Sequence, residues 1–189
     1  MLILASTSPR RQELLQLITR DFRVVSSNAD EHLPDGMDPQ KSVEELALRK
    51  AKTVAAIYPG DTVIGADTVV ALGDVLLGKP HGAWEAEEML RALSGAQHSV
   101  YTGVAVLSPL GGQVFSERTN VRFTPLSGEQ IQAYIATGEP FDKAGAYGIQ
   151  GKGALFISGI EGDYYNVMGL PVCRLNTILS KFGIDGRNL

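Results

Sequence analysis

The run Thr62-Val63-Ile64-Gly65-Ala66-Asp67-Thr68-Val69-Val70-Ala71-Leu72 constrains this chain most. It is apolar and rich in β-branched residues, which predicts a strand, yet a single carboxylate interrupts it. Asp67 is costly to bury as a charge unless it is paired or binds a metal. The plain alternative is an aspartate at a turn or strand end, hydrogen-bonded to backbone. Gly65 and Ala66 leave room for another group to approach the strand closely. Gly73-Asp74 then predicts a hairpin turn that would return Lys79, within Gly78-Lys79-Pro80, beside Asp67. The expectation is an acid and a cation at one sheet edge.

A chain of 189 residues can bury one substantial core, or one core shared between two lobes. There is no linker long enough to separate independent domains, so residues 1–189 read as a single domain. A hydrophobic fraction of 44% with 20% charged residues is that of an ordinary globular protein. The formal charge of −4 gives no general attraction to nucleic acid or to anionic membranes, so neither partner is expected. The one cysteine, Cys173, excludes an internal disulfide and is expected in the core. Residues 1–5 are too short for a signal-peptide core, and no apolar run approaches the roughly 20 residues of a membrane helix. A cytoplasmic protein is expected.

Residues 2–5 predict a short buried strand, and Ser6-Thr7-Ser8-Pro9 opens a helix with Ser8 as N-cap. Arg10 and Arg11 fall in its first turn, where the helix dipole disfavours cations. Either they are solvated, or backbone N–H groups, serine hydroxyls and two guanidinium forks converge on an anion such as phosphate, which is the reading adopted. Residues 22–27 alternate like a strand, and 28–41 read as loop with Asp30-Glu31 near its start. Ser42-Val43-Glu44-Glu45 predicts a capping box and a helix to about Tyr58. Val43, Leu46, Ala47, Ala51 and Val54 form its apolar stripe, with Arg49, Lys50 and Lys52 expected mostly on the surface. Residues 83–93 predict an amphipathic helix with Trp84 packed in its first turn. Two long β runs, 97–107 and 113–123, follow, then a helix capped at Ser127. The glycine-dense stretch 139–151 is expected to be a loop shaped against a ligand. A strand at 155–158 and a last helix from about Gly169 to Gly183 complete the chain.

Four stretches in order carry a resemblance: Ser6-Thr7-Ser8-Pro9-Arg10-Arg11, Gly65-Ala66-Asp67-Thr68, Gly78-Lys79-Pro80, and Asp142-Lys143-Ala144-Gly145-Ala146-Tyr147-Gly148-Ile149-Gln150-Gly151. Together they resemble the Maf family of nucleoside triphosphate pyrophosphatases, and the last is similar to the branch acting on dTTP and UTP. The resemblance implies an α/β fold like that of ITP pyrophosphatases, with a mixed central β-sheet flanked by helices and two lobes around a cleft. It also implies a divalent cation, Mg²⁺ or Mn²⁺, and usually a homodimer. By the same resemblance Asp67 is the general base, and Arg10, Thr68 and Gln150 read the base. Ser6, Arg11, Glu31, Lys50, Lys79 and Lys143 match positions that contact phosphates, metal or the catalytic water. Glu31 and Asp67 are expected on the metal, and Lys79 with Asp67 in catalysis.

The residue types suit that chemistry. A carboxylate can orient and deprotonate water, and arginines and lysines can neutralise a departing pyrophosphate. The Gln150 amide offers an acceptor and a donor, matching the N3–H and adjacent carbonyl of uracil or thymine. Two other readings stay open at this point. One is a non-catalytic nucleotide-binding regulator of cell division and septum formation. The other is a house-cleaning pyrophosphatase for ITP or XTP.

Overall fold

The β-branched run around Asp67 forms the strand β3, Thr62–Leu72, and the sheet is assembled on both sides of it. The computed structural model describes residues 1–34 and 36–184. In chain order the elements are β1 (Leu2–Leu4), α1 (Pro9–Gln16), β2 (Arg23–Val24), α2 (Pro39–Ala55), β3, β4 (Val75–Leu77), α3 (Ala83–Leu93), β5 (Gln97–Ser108), β6 (Gly111–Phe123), α4 (Gly128–Ile135), β7 (Ile157–Glu161), α5 (Tyr164–Met168) and α6 (Val172–Leu179). The strands make one seven-stranded mixed sheet of order β2-β1-β3-β5-β6-β7, with β4 paired to β3. β1 runs parallel to β2 and β3, whereas β3–β4 and β6–β7 are antiparallel. Among the described residues no helix is long and apolar enough to cross a membrane.

The chain divides into two compact units. The first holds Met1–Thr68, Thr102–Glu117 and the chain from Gly169. Where α2 meets the strands its core is a cluster of mostly small side chains, Ile3, Ala5, Ala47, Ala51, Val54, Val63 and Ala105, while larger ones such as Leu14, Leu15 and Leu175 are buried elsewhere in the unit. Two glycines let α2 lie against the strands. A Cβ on Gly65 would sit 2.2 Å from the Ala47 carbonyl oxygen, and one on Gly103 2.2 Å from that of Val43. The close approach expected at Gly65 is thus made by a helix backbone.

The second unit holds Val69–Tyr101 and Arg118–Met168. Here the core is aromatic: Phe123, Tyr134, Tyr147 and Phe156 pack with Leu90, Leu93 and Ile131. The rings meet edge to face, Phe123 and Tyr147 at 4.8 Å and Tyr134 and Phe156 at 5.0 Å, the geometry that ring quadrupoles favour. The hairpin expected after β3 is present, and its ladder ends where Val70 pairs with Leu77.

Several local expectations are corrected. Helix α2 begins at Pro39: Asp38 is the N-cap, its Oδ1 accepting from the Lys41 N–H at 3.1 Å, and Pro39 takes the first helical position. Ser42 lies inside the first turn and donates back to the Asp38 carbonyl at 2.9 Å, so it caps nothing. Trp84 is 76% exposed, because the buried stripe of α3 runs through Ala86, Met89, Leu90 and Leu93. Cys173 is exposed, on the side of α6 away from Leu175, Ile178 and Leu179. Residues Lys152–Phe156 form a 3₁₀ turn, which delays the last strand to Ile157. The short helix α5 was not expected.

Candidate active site

In the first unit, Gly65 and Asp67 lie two residues apart on β3 and so share a face of the sheet. That face receives α2, and Lys50 reaches from the helix to Asp67, Nζ to Oδ1 2.6 Å. The same Nζ lies 2.7 Å from Glu31 Oε1. Lys50 is therefore a buried cation bridging two carboxylates, with Asp67 largely enclosed and Glu31 open to solvent. The expectation of a surface Lys50 was wrong, although the helical period held the signal. Positions 43, 46, 47, 50, 51 and 54 recur on one face, and a lysine on a buried face requires an acid partner.

Arg49, also expected on the surface, grips the loop that presents Glu31. Its Nη1 donates to the carbonyls of His32 at 2.7 Å and Asp30 at 3.4 Å, and its Nε to Glu45 at 2.7 Å.

A second cluster gathers at the start of α1. The Arg11 guanidinium donates to Ser6 Oγ (3.3 Å), Thr68 Oγ1 (3.0 Å) and the Gly169 carbonyl (2.9 Å). Burial lowers its pKa, and the Asp67 charge opposes that shift. The Thr68 hydroxyl also meets that of Thr102 on β5 at 2.9 Å. Thr102 is fully buried and was not singled out from the sequence; a threonine ahead of Gly103-Val104-Ala105-Val106 was the available signal. Ser8 does not cap α1 through its side chain, and Ser6 Oγ instead accepts from the Ser8 N–H at 3.3 Å. Arg10 lies half-buried in the same turn. The first unit thus brings Ser6, Arg11, Glu31, Lys50, Asp67 and Thr68 together around two linked polar clusters.

Lys79, Lys143 and Gln150 belong to the second unit. The Gly145 N–H donates to the Gly78 carbonyl at 3.0 Å, which ties the segment bearing Lys79 to the loop bearing Lys143. Gly145 needs its left-handed backbone (φ 68°), and a Cβ there would press on Val70 at 2.9 Å. Glu139 anchors the same loop, accepting from the Tyr134 hydroxyl (2.8 Å) and the N–H groups of Lys152 (2.9 Å) and Gly153 (3.3 Å). Below it, the Tyr147 hydroxyl lies 2.7 Å from His98 Nε2, and burial pushes the His98 imidazole down to about 4. Lys143 donates to Asp142 (2.6 Å) and the Glu139 carbonyl (2.7 Å). Lys79 and Gln150 are exposed, with no side-chain partner among the described residues.

The donor set near Lys50 fits a hard divalent ion. Asp67 and Glu31 already converge on one cation, and Mg²⁺ takes one or two carboxylates with water and phosphate oxygens completing its shell. Among the described residues no three His, Cys, Asp or Glu side chains gather, so an all-protein cage is absent.

Comparison with known proteins shows the family. The sequence model of the family described as "Maf-like protein" matches residues 1–182. A protein of Geobacillus sp. strain WCH70 named dTTP/UTP pyrophosphatase is 54% identical over 182 residues, 96% of this chain and 98% of that one. Relatives of the same name from Symbiobacterium thermophilum (54% identical, 96% and 94% covered) and Moorella thermoacetica (51%, 97% and 96%) are similar over the same extent. Among solved structures, that of the Staphylococcus aureus Ham1 protein superposes with a TM-score of 0.58 at 15% identity, covering 96% of this chain and 98% of that chain. At that identity the likeness bears on the fold alone.

Proposed function

Because the chain belongs to the Maf family, we propose that it is a nucleoside triphosphate pyrophosphatase that splits dTTP and UTP into the monophosphate and pyrophosphate. The observation that carries this reading is the 50–54% identity, over nearly the full length, to relatives named dTTP/UTP pyrophosphatase.

The reaction adds water at the α phosphorus and breaks the bond to the α–β bridging oxygen. The bond electrons leave with pyrophosphate. Asp67 orients the water and takes its proton, releasing it afterwards to solvent. Glu31 and Asp67 would hold Mg²⁺ or Mn²⁺, and the chemistry such an ion supplies is a lower pKa for its water and positive charge for phosphate oxygens. Ser6 and Arg11 offer a hydroxyl and a guanidinium fork to phosphate, while the Lys50 ion pair aims Asp67. Lys79 and Lys143 offset the charge on the departing pyrophosphate. Arg10, Thr68 and Gln150 select the pyrimidine, the Gln150 amide pairing with N3–H and its neighbouring carbonyl.

Purified protein incubated with each common nucleotide and Mg²⁺ or Mn²⁺, with products resolved by chromatography, tests the proposal. dTTP and UTP should yield dTMP and UMP with pyrophosphate. Orthophosphate with the diphosphate, or intact dTTP and UTP, overturns it. ITP in the same panel tests the purine reading. We also propose a homodimer, which sedimentation would test.

A further inference from the structure

We propose that Arg49 is a positioning residue for the metal: it holds the backbone on both sides of Glu31 so that this carboxylate faces Asp67. The inference rests on the reading of Glu31 and Asp67 as metal ligands given above. Glu31 comes from a long irregular stretch, between β2 and α2, and its side chain is 63% exposed. A carboxylate so placed would sample many positions unless its backbone were fixed.

One turn of α2 supplies the restraint. Arg49 Nη1 donates to the carbonyls of Asp30 and His32, the residues immediately before and after Glu31. Its Nε is held by Glu45, one turn earlier, which fixes the guanidinium plane. Lys50, the next residue, takes the Glu31 carboxylate itself. A planar guanidinium can serve two carbonyls and a carboxylate together, which an ammonium cannot do in that geometry. Within the loop, Asp30 Oδ1 accepts the His32 N–H at 2.9 Å, closing a turn around Glu31. Arg49 thus acts on the metal through the main chain, and the loss of such a supporting partner weakens metal binding by roughly 10- to 100-fold.

Charge makes the prediction directional. Arg49→Met removes a cation near a cation site, so Coulomb's law alone predicts tighter metal binding. Positioning predicts the reverse. The test is Mn²⁺ binding to nucleotide-free full-length protein, read by the electron paramagnetic resonance of free Mn²⁺. Wild type, Arg49→Met, Glu45→Gln and Glu31→Gln are compared, with circular dichroism to check folding. Glu31→Gln and Arg49→Met should both weaken binding, the latter roughly tenfold, with Glu45→Gln between wild type and Arg49→Met. Unchanged or tighter binding in Arg49→Met, with binding weakened in Glu31→Gln, overturns the role of Arg49 and leaves the metal reading intact. Unchanged binding in Glu31→Gln overturns the Glu31 ligand assignment, and the inference with it. Should Arg49→Met fail to fold, Glu45→Gln at wild-type affinity overturns the inference.

Discussion

The two compact units solve different problems with different side chains. In the first, alanines and glycines bring α2 within backbone distance of β3 and β5, and charged groups sit in the remaining space already paired with each other. Lys50 holds Asp67 and Glu31, and Arg11 holds Ser6 and Thr68. In the second, an aromatic core and the Glu139–Tyr134 hydrogen bonds fix a loop from beneath, while Lys79 and Gln150 stand exposed and unpartnered among the described residues. Small residues give proximity, which ion pairs need. Aromatic residues give rigid area, which holds a loop steady without occupying its outward-facing groups. On this contrast, changes at the paired Asp67 of the first unit should alter chemistry, while changes at the aromatic core or at Gln150 of the second should alter stability or selectivity.

The largest expected effect is Asp67→Asn. It removes the base and the negative partner of Lys50, and should lower turnover of dTTP by roughly 10²- to 10⁴-fold while nucleotide binding persists. Pyrophosphate release and calorimetric binding of the nucleotide measure the two halves. Turnover within a few-fold of wild type would remove Asp67 from the chemistry.

Next is the acid stability of the second unit. His98 is buried among Phe123 and Tyr147, with a pKa of about 4 against an ordinary value of 6.5. As pH falls through 6.5 the unfolded chain takes up a proton that the folded one refuses, so stability is intact above that pH. It should drop by up to about 3 kcal/mol on reaching pH 4. Urea midpoints between pH 7.5 and 4 should fall less steeply in His98→Gln than in wild type. Parallel curves would contradict this account.

The smallest effect is the one that best separates the units. Gln150→Leu should lower kcat/KM for UTP by roughly 2- to 13-fold, the cost of losing a hydrogen bond of about 0.5–1.5 kcal/mol. The value for CTP should hold or rise, with an unchanged melting temperature. An equal fall for every nucleotide would make Gln150 structural.

Much of this was legible in the sequence. The β-branched run around Asp67 could only be a strand, and Gly65 announced that something would press against it. The helix at 83–93 and the capping box at Ser127, where Ser127 Oγ meets the Gln130 N–H at 3.2 Å, follow from local periodicity and hydrogen bonding. The four motifs in order carried the resemblance to the Maf family, whose model matches residues 1–182.

Other features were decided only by tertiary structure, because they depend on which partner is within reach. A hairpin from Gly73 suggested Lys79 as the cation for Asp67, yet the ion pair forms with Lys50, since Gly65 admits α2 to the same face of β3. Arg49 looked like surface until its guanidinium met the carbonyls flanking Glu31. Trp84 and Cys173 had residue types that favour burial, but each lies off the stripe its helix presents to the core. Local sequence fixes periodicity, caps and turns, since those interactions span a few residues. Which distant side chain neutralises a buried charge depends on how closely two backbones approach, and that is set by the packed core.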